Sequence, residues 1–256
     1  MSTESRRATF RQRLRARKQL VGTWVKTPSP IVCEVLCRSE LDLLALDAEH
    51  APFGRAELDA CLAICRALDM PTLVRVAAAD PALILNALDC GASGVLVPHV
   101  DTAQKARDAV RACHFGPGGR GYAGSTRAAG FGARGIAQHR QMCDAETTVV
   151  LQLEDASALT ALPEIAAVGG VDCLFVGRID LTVSLEKSRT DDAAVVAAVA
   201  QICAAGRQAD VAVGMFVADP AEARQWTPHG ASLFILGSDH GFLLDGAQQL
   251  LQKLRR

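Results

Sequence analysis

A chain of 256 residues with 50% apolar and 21% charged side chains has the profile of a folded globular protein, with no compositional sign of disorder. Its net charge of −1 argues against a nucleic-acid-binding surface as its main function. No stretch is long and apolar enough to span a bilayer, so no membrane role is expected.

The chain opens on a basic stretch, with Arg6, Arg7, Arg11, Arg13, Arg15, Arg17 and Lys18 set against Glu4. Arg-rich, acid-poor segments can be targeting peptides. Here Phe10, Leu14 and Leu20 share one side, so residues 1–20 are read as an amphipathic leading helix that packs on the rest of the protein or on a neighbouring subunit.

Strands are expected at residues 22–25, 42–47, 72–76, 94–98, 148–153, 173–176, 211–216 and 233–237, all short apolar runs suited to burial on both faces. Helical patterns alternate with them at 30–38, 56–68, 82–88, 103–112, 156–162, 191–207, 220–225 and 243–254. Start signals support several of these: Asp80-Pro81, Asp101-Thr102 and Asp219-Pro220 each precede a helical run. Eight alternating units without a linker predict one domain over residues 1–256, a (β/α)8 TIM barrel preceded by the leading helix.

Nine cysteines, odd in number and without a Cys-x-x-Cys pair, fit neither a disulfide framework nor a zinc site. Cys33/Cys37 and Cys61/Cys65 are spaced as helical neighbours facing a core, and a reducing cytoplasm suits this usage best. Gly116-Pro117-Gly118-Gly119-Arg120-Gly121 formally satisfies Gly-x-Gly-x-x-Gly, but it follows a helix rather than a strand, so the match is accidental. The glycine-rich segment 116–135 is expected on the catalytic face, where Arg120 and Arg127 could meet an anionic substrate.

Several strands end on polar groups, the place where a parallel barrel keeps its active site. Glu154 and Asp180 close neighbouring strands and could offer oxygen ligands to Mg²⁺ or Mn²⁺. His50 could serve as a base. Arg75 is a charge inside an apolar strand, costly unless it meets an anion. No lysine ends an interior strand, which disfavours Schiff-base chemistry.

Leu46-Asp47-Ala48-Glu49-His50-Ala51-Pro52, Leu73-Val74-Arg75, the run from Val97 to Ala103, Gln152-Leu153-Glu154 and the run from Gly177 to Leu185 together resemble a known family. In this order they look like the motifs of the metal-dependent 2-keto acid (class II pyruvate) aldolases, of the 4-hydroxy-2-oxoheptanedioate and 2-dehydro-3-deoxyglucarate aldolase type. The resemblance implies a lyase acting through a pyruvate enolate, with an aldehyde as second substrate and a divalent metal (Mg²⁺, Mn²⁺ or Co²⁺) held by Glu154 and Asp180. It implies that Arg75 contacts the enolate oxygen and that His50 is the base, oriented by Asp89. It also implies a keto-acid site around Gln152, Gly177, Arg178, Ile179, Asp180 and Trp24.

Asp89 ends the helix after the third strand, at the face opposite the mouth, so its pairing with His50 requires a second subunit. The family likeness accordingly implies a homo-oligomer, a hexamer. Arg178 departs from the family's small residue or proline, and Glu186 stands where glycine is common; Arg178 could crowd the carboxylate site or add a contact for an acidic substrate. His99 could tune aldehyde choice. The alternatives are an oxaloacetate decarboxylase-like activity, a citrate lyase β-like acyl-CoA lyase, and a non-catalytic keto-acid-binding barrel.

Overall fold

The structure is a computed structural model that describes residues 5–255. Its strands are β1 (Leu20–Val25), β2 (Leu43–Asp47), β3 (Thr72–Arg75), β4 (Gly94–Val97), β5 (Thr148–Leu153), β6 (Cys173–Val176), β7 (Ala212–Val217) and β8 (Ala231–Ser238). They close into a barrel in sequence order, with every pair parallel and β8 returning to β1. The register sets Asp47 beside Arg75 across β2 and β3, and Gln152 beside Phe175 across β5 and β6.

Eleven α-helices stand among the described residues: α1 (Arg6–Arg15), α2 (Pro30–Cys37), α3 (Arg55–Ala67), α4 (Pro81–Asp89), α5 (Ala103–Cys113), α6 (Ile136–Glu146), α7 (Leu162–Ala166), α8 (Arg178–Ser184), α9 (Ala193–Gln208), α10 (Pro220–Trp226) and α11 (Asp239–Leu254). The sequence signals act as read: Asp80 accepts the Ala82 N–H at 2.6 Å and Asp219 the Ala221 N–H at 2.6 Å, each ahead of a proline in the first turn. The expected helix at 156–162 is a 3₁₀ segment running into α7. Helices α6 and α8 have no counterpart in the sequence reading.

Alternation along the strands divides the core in two. Leu44, Leu46, Val74, Val95 and Val149 face outward under the helices, together with Cys33, Cys61 and Cys65, as the cysteine spacing predicts. Leu43, Ala45, Leu73, Leu96, Val150 and Phe175 face inward, and Phe10 and Leu14 of α1 join them as a plug. The basic leading stretch is thus a floor for the barrel. Arg11 and Arg15 pair with Asp172 at 2.9 and 3.1 Å, and Arg13 with Asp42 at 2.6 Å, acids that stand just ahead of β6 and β2. With its lower end closed, the barrel opens at the carboxyl ends of its strands.

The glycine-rich segment corrects one expectation. It follows α5, which has already carried the chain back to the strands' amino ends, so it lies on the closed side. Arg120 donates to Asp89 at 2.6 Å and Arg127 grips Asp59 of α3 at 3.0 and 2.6 Å. Neither arginine reaches the mouth. The Gly-x-Gly-x-x-Gly match forms a turn bridged between Phe115 and Arg120, with no strand before it and no helix opening from it.

Candidate active site

A cavity of about 620 Å³ opens at the carboxyl ends of the strands, lined among others by Trp24, Lys26, His50, Arg75, Gln152, Phe175, Gly177, Arg178, Ile179 and Asp180. The expected site residues therefore converge, with two exceptions: Glu154 lies beneath the wall and Asp89 at the far end of the barrel.

Arg75 continues the inward face of β3 after Leu73, which carries its guanidinium to the cavity floor. Asp47, fully buried at the same level of β2, receives it through two hydrogen bonds of 2.9 and 2.8 Å. The ring of Trp24 lies 4.4 Å from the guanidinium carbon, and the Phe175 ring stands edge-on to Trp24. Glu49 adds a carboxylate oxygen 3.3 Å from Arg75 Nη1. The cost of placing a charge in an apolar strand is thus met within the protein, and the group is fixed in direction.

Asp47 also accepts the backbone N–H groups of Glu49 and His50 and lies 3.3 Å from Lys26 Nζ. Burial works to raise its pKa, but the bonds and charge of Arg75 outweigh it and hold the carboxyl below its ordinary value. Glu49 behaves oppositely. Burial, with added repulsion from Glu154, raises its pKa although Arg75 pulls the other way.

Glu154 is 2% exposed, and its carboxylate accepts the backbone N–H of His99 at 2.9 Å and a hydrogen bond from the Gln152 amide. The Gln152 side-chain oxygen is buried without a partner. Gly177 makes this approach possible: a Cβ there would stand 2.7 Å from Glu154 Cβ and Oε2. Asp180, in the first turn of α8, is exposed to the cavity and makes no hydrogen bond or ion pair among the described residues. Buried and cavity-facing oxygens are therefore in excess of donors around Glu154, the donor chemistry that suits a hard divalent cation. Among the described residues no three His, Cys, Asp or Glu side chains stand together so as to hold a metal ion, so a cation here would rest on two carboxylates with substrate and water oxygens.

His50 stands at the rim, its side chain 56% exposed, with Nε2 3.6 Å from Glu49 Oε2. His99 takes a left-handed backbone conformation (φ 54°) beside it. Its ring bonds Asp155 at 3.1 Å; desolvation acts to lower its pKa, but Asp155 and Glu154 raise it overall. Arg178 turns along the wall to Glu222 of α10 and the Phe216 carbonyl, so its charge is already matched inside the protein. Glu186, the other departure, sits at φ 56°, a conformation that glycine adopts without strain.

Asp89 is buried at the end of α4 and held by Arg120, and the expected partnership with His50 is not made within the chain. Sequence reasoning passed over Asp47 as the anchor of Arg75, although its register on β2 carries that signal. It placed Lys26 just past the first strand without a role, though the residue lines the cavity, and it passed over Asp239, which pins the loop after β1 by accepting the Lys26 and Thr27 N–H groups at 2.9 Å each.

The family model described as HpcH/HpaI aldolase/citrate lyase matches residues 20–245. The chain belongs to that family. It is 34% identical to the hydroxypyruvate/pyruvate aldolase of Paraburkholderia phytofirmans, over 96% of this chain and 97% of the relative. It is 33% identical to the 2-dehydro-3,6-dideoxy-6-sulfogluconate aldolase of Pseudomonas putida, over 92% of each. The crystal structure of a family member from Burkholderia cenocepacia J2315 superposes with a TM-score of 0.92 at 38% identity, covering 97% of this chain and 100% of that one. As a member of the HpcH/HpaI family the protein is an enzyme, a carbon–carbon lyase of the aldolase type. Among its described residues no helix is long and apolar enough to cross a membrane.

Proposed function

We propose that this single-domain barrel cleaves and forms 4-hydroxy-2-oxo acids, with pyruvate or hydroxypyruvate as the enolate-forming partner and an aldehyde as the other. The observation that carries the reading is Arg75, locked by Asp47 at the cavity floor among oxygens that have no donor of their own. The names of the relatives support the keto acid. Glu154 and Asp180 would hold a divalent ion (Mg²⁺, Mn²⁺ or Co²⁺), which when bound supplies Lewis-acid polarisation of the keto-acid carbonyl.

The chain's own groups account for the remaining needs. Arg75 presents N–H groups, fixed by two carboxylates, to the oxygen on which negative charge grows as the carbon–carbon bond breaks; no reorientation is needed at that moment. His50, exposed at the rim, takes the proton of the C4 hydroxyl so that the aldehyde can leave, and the enolate carbon is then protonated to give the keto acid. The N–H groups of residues 178–180, in the first turn of α8, and the Gln152 amide orient the substrate carboxylate, while the Gly177 N–H is spent on the Leu153 carbonyl at 3.1 Å. Trp24 and Phe175 exclude water from one side of the floor.

A homo-oligomer accompanies this proposal, the hexamer implied by resemblance. Helix α11 supports it: Leu243, Leu244, Leu250, Leu251 and Leu254 are all exposed, and of its sixteen residues Asp239 is the one buried. A second copy would also be needed for Asp89 to approach His50.

The test is release of pyruvate or hydroxypyruvate from a panel of hydroxy-keto acids, with and without EDTA. Turnover that is abolished by EDTA and restored by Mg²⁺, Mn²⁺ or Co²⁺ is expected. Turnover indifferent to chelation would sink the metal assignment. Oxaloacetate should also be decarboxylated, because loss of carbon dioxide leaves the same enolate.

A further inference from the structure

On the closed side of the barrel, far from the mouth, two guanidinium groups converge on one oxygen. Arg7 of α1 donates to the Gly91 carbonyl at 3.3 Å, and Arg66 of α3 to the same carbonyl at 3.2 Å. Both border a cleft of about 30 Å³ that is also lined by Arg120, Ser93, Thr147 and Glu146. A space of that size holds about two waters, and so a compact ion.

Arg120 brings an independent observation. Its side chain is 1% exposed, and while one end bonds Asp89, its Nε–H is buried with no acceptor. An unmatched buried donor on a cation is costly. Arg134 stands nearby, with its Nη1 spent on the Ala128 carbonyl at 2.9 Å. Among the described residues no carboxylate lies within ion-pair distance of the Arg7, Arg66 or Arg134 side chains. Burial first, then repulsion from Arg7 and Arg134, pushes Arg66 down to about 10, while Glu146 opposes this weakly. The arginines outnumber the acids, and they come from elements far apart in sequence.

We propose that this cleft binds a compact inorganic anion, of halide or small oxyanion size, between Arg7, Arg66 and Arg120. The ion pins α1, α3 and the 116–135 segment to one another beneath the barrel. Like charges that repel one another become a set of donors around one negative centre. The proposal is independent of the reading of the mouth.

The full-length protein would be unfolded thermally in chloride, sulfate or phosphate, each against gluconate at matched ionic strength. A saturable rise in midpoint is expected with a compact anion and not with gluconate. Arg66→Gln and Arg7→Gln should each weaken that response by about tenfold or more. In gluconate, Arg66→Gln should be at least as stable as the parent, because it removes a repulsive charge; a residue serving only as a donor to Gly91 would cost stability in every salt. Arg66→Lys keeps the charge and should retain part of the response.

No saturable response to any compact anion would overturn the site, as would equal responses in parent and variants. Sedimentation velocity alongside separates the remaining source of negative charge. A response that emerges only after dissociation to monomers would assign the cleft to a carboxylate of a second copy and refute a free-anion site.

Discussion

Replacing Asp47 by Asn is the sharpest perturbation of the proposed centre. The carboxylate is fully buried and makes two of the shortest contacts to Arg75, at 2.9 and 2.8 Å. Removing one partner of a buried pair costs about 3–5 kcal/mol, because the other charge is left behind. Here Glu49 still faces Arg75 at 3.3 Å, and the Asn oxygen can keep the Glu49 and His50 N–H groups, so the lower figure applies. A loss of about 3 kcal/mol corresponds to about 6–12 °C in Tm for a chain of this size.

The activity should fall further than the stability suggests. The amide turns one acceptor into a donor facing the guanidinium, so Arg75 loses its direction, and a misdirected donor costs about 10²-fold in kcat. The pH dependence has a defined sign. The folded Asp47 carboxyl lies below its unfolded value, so its contribution is complete above the unfolded value and is lost as pH falls through the folded one. Urea titrations of parent and variant should therefore differ fully at neutral pH and converge in acid. A neutral-pH gap under about 1 kcal/mol, or a gap that does not shrink in acid, would refute the electrostatic account, since the pair is then not what holds Arg75.

Three further outcomes follow from the geometry. Glu154→Ala or Asp180→Ala should abolish turnover while leaving the Tm of the chelated protein within a few degrees for Asp180, which makes no hydrogen bond or ion pair among the described residues; activity near parental in either would remove them from the site. Gly177→Ala places a Cβ 2.7 Å from the Glu154 carboxylate and should lower kcat and divalent-ion affinity together, at about 1–3 kcal/mol of stability, measured by denaturation and metal titration. Phe10→Ala opens the floor of the barrel and should cost about 3–5 kcal/mol in urea unfolding with KM unchanged; a loss below 1 kcal/mol would mean that α1 does not plug the interior.

The order of eight strands was legible from short apolar runs separated by helical patterns, because strands buried on both faces need little beyond such runs. Arg75 and Glu154 stood out for a related reason: a charge is costly at the end of a buried strand, and its presence there asks for an explanation. Asp180 was expected to close the sixth strand, but it is an exposed residue in the first turn of α8, four residues past β6. Helix α8 was not legible, because seven residues opening from a glycine give too short a period. Segment 116–135 looked like part of the mouth because it follows the fourth unit and carries arginines. Its face is decided by direction: α5 runs antiparallel to the strands and delivers the chain to the closed end.

Residue order was enough to specify the barrel and the kind of side chain that closes most of its strands. Local patterns carry this information because burial and strand alternation act residue by residue. Which side chain pairs with which emerged only from the closed fold. Asp47 holds Arg75, Glu222 holds Arg178, and within the chain Asp89 is held by Arg120. Pairing depends on register and on which end of a helix meets which face, and those are fixed only when the sheet closes.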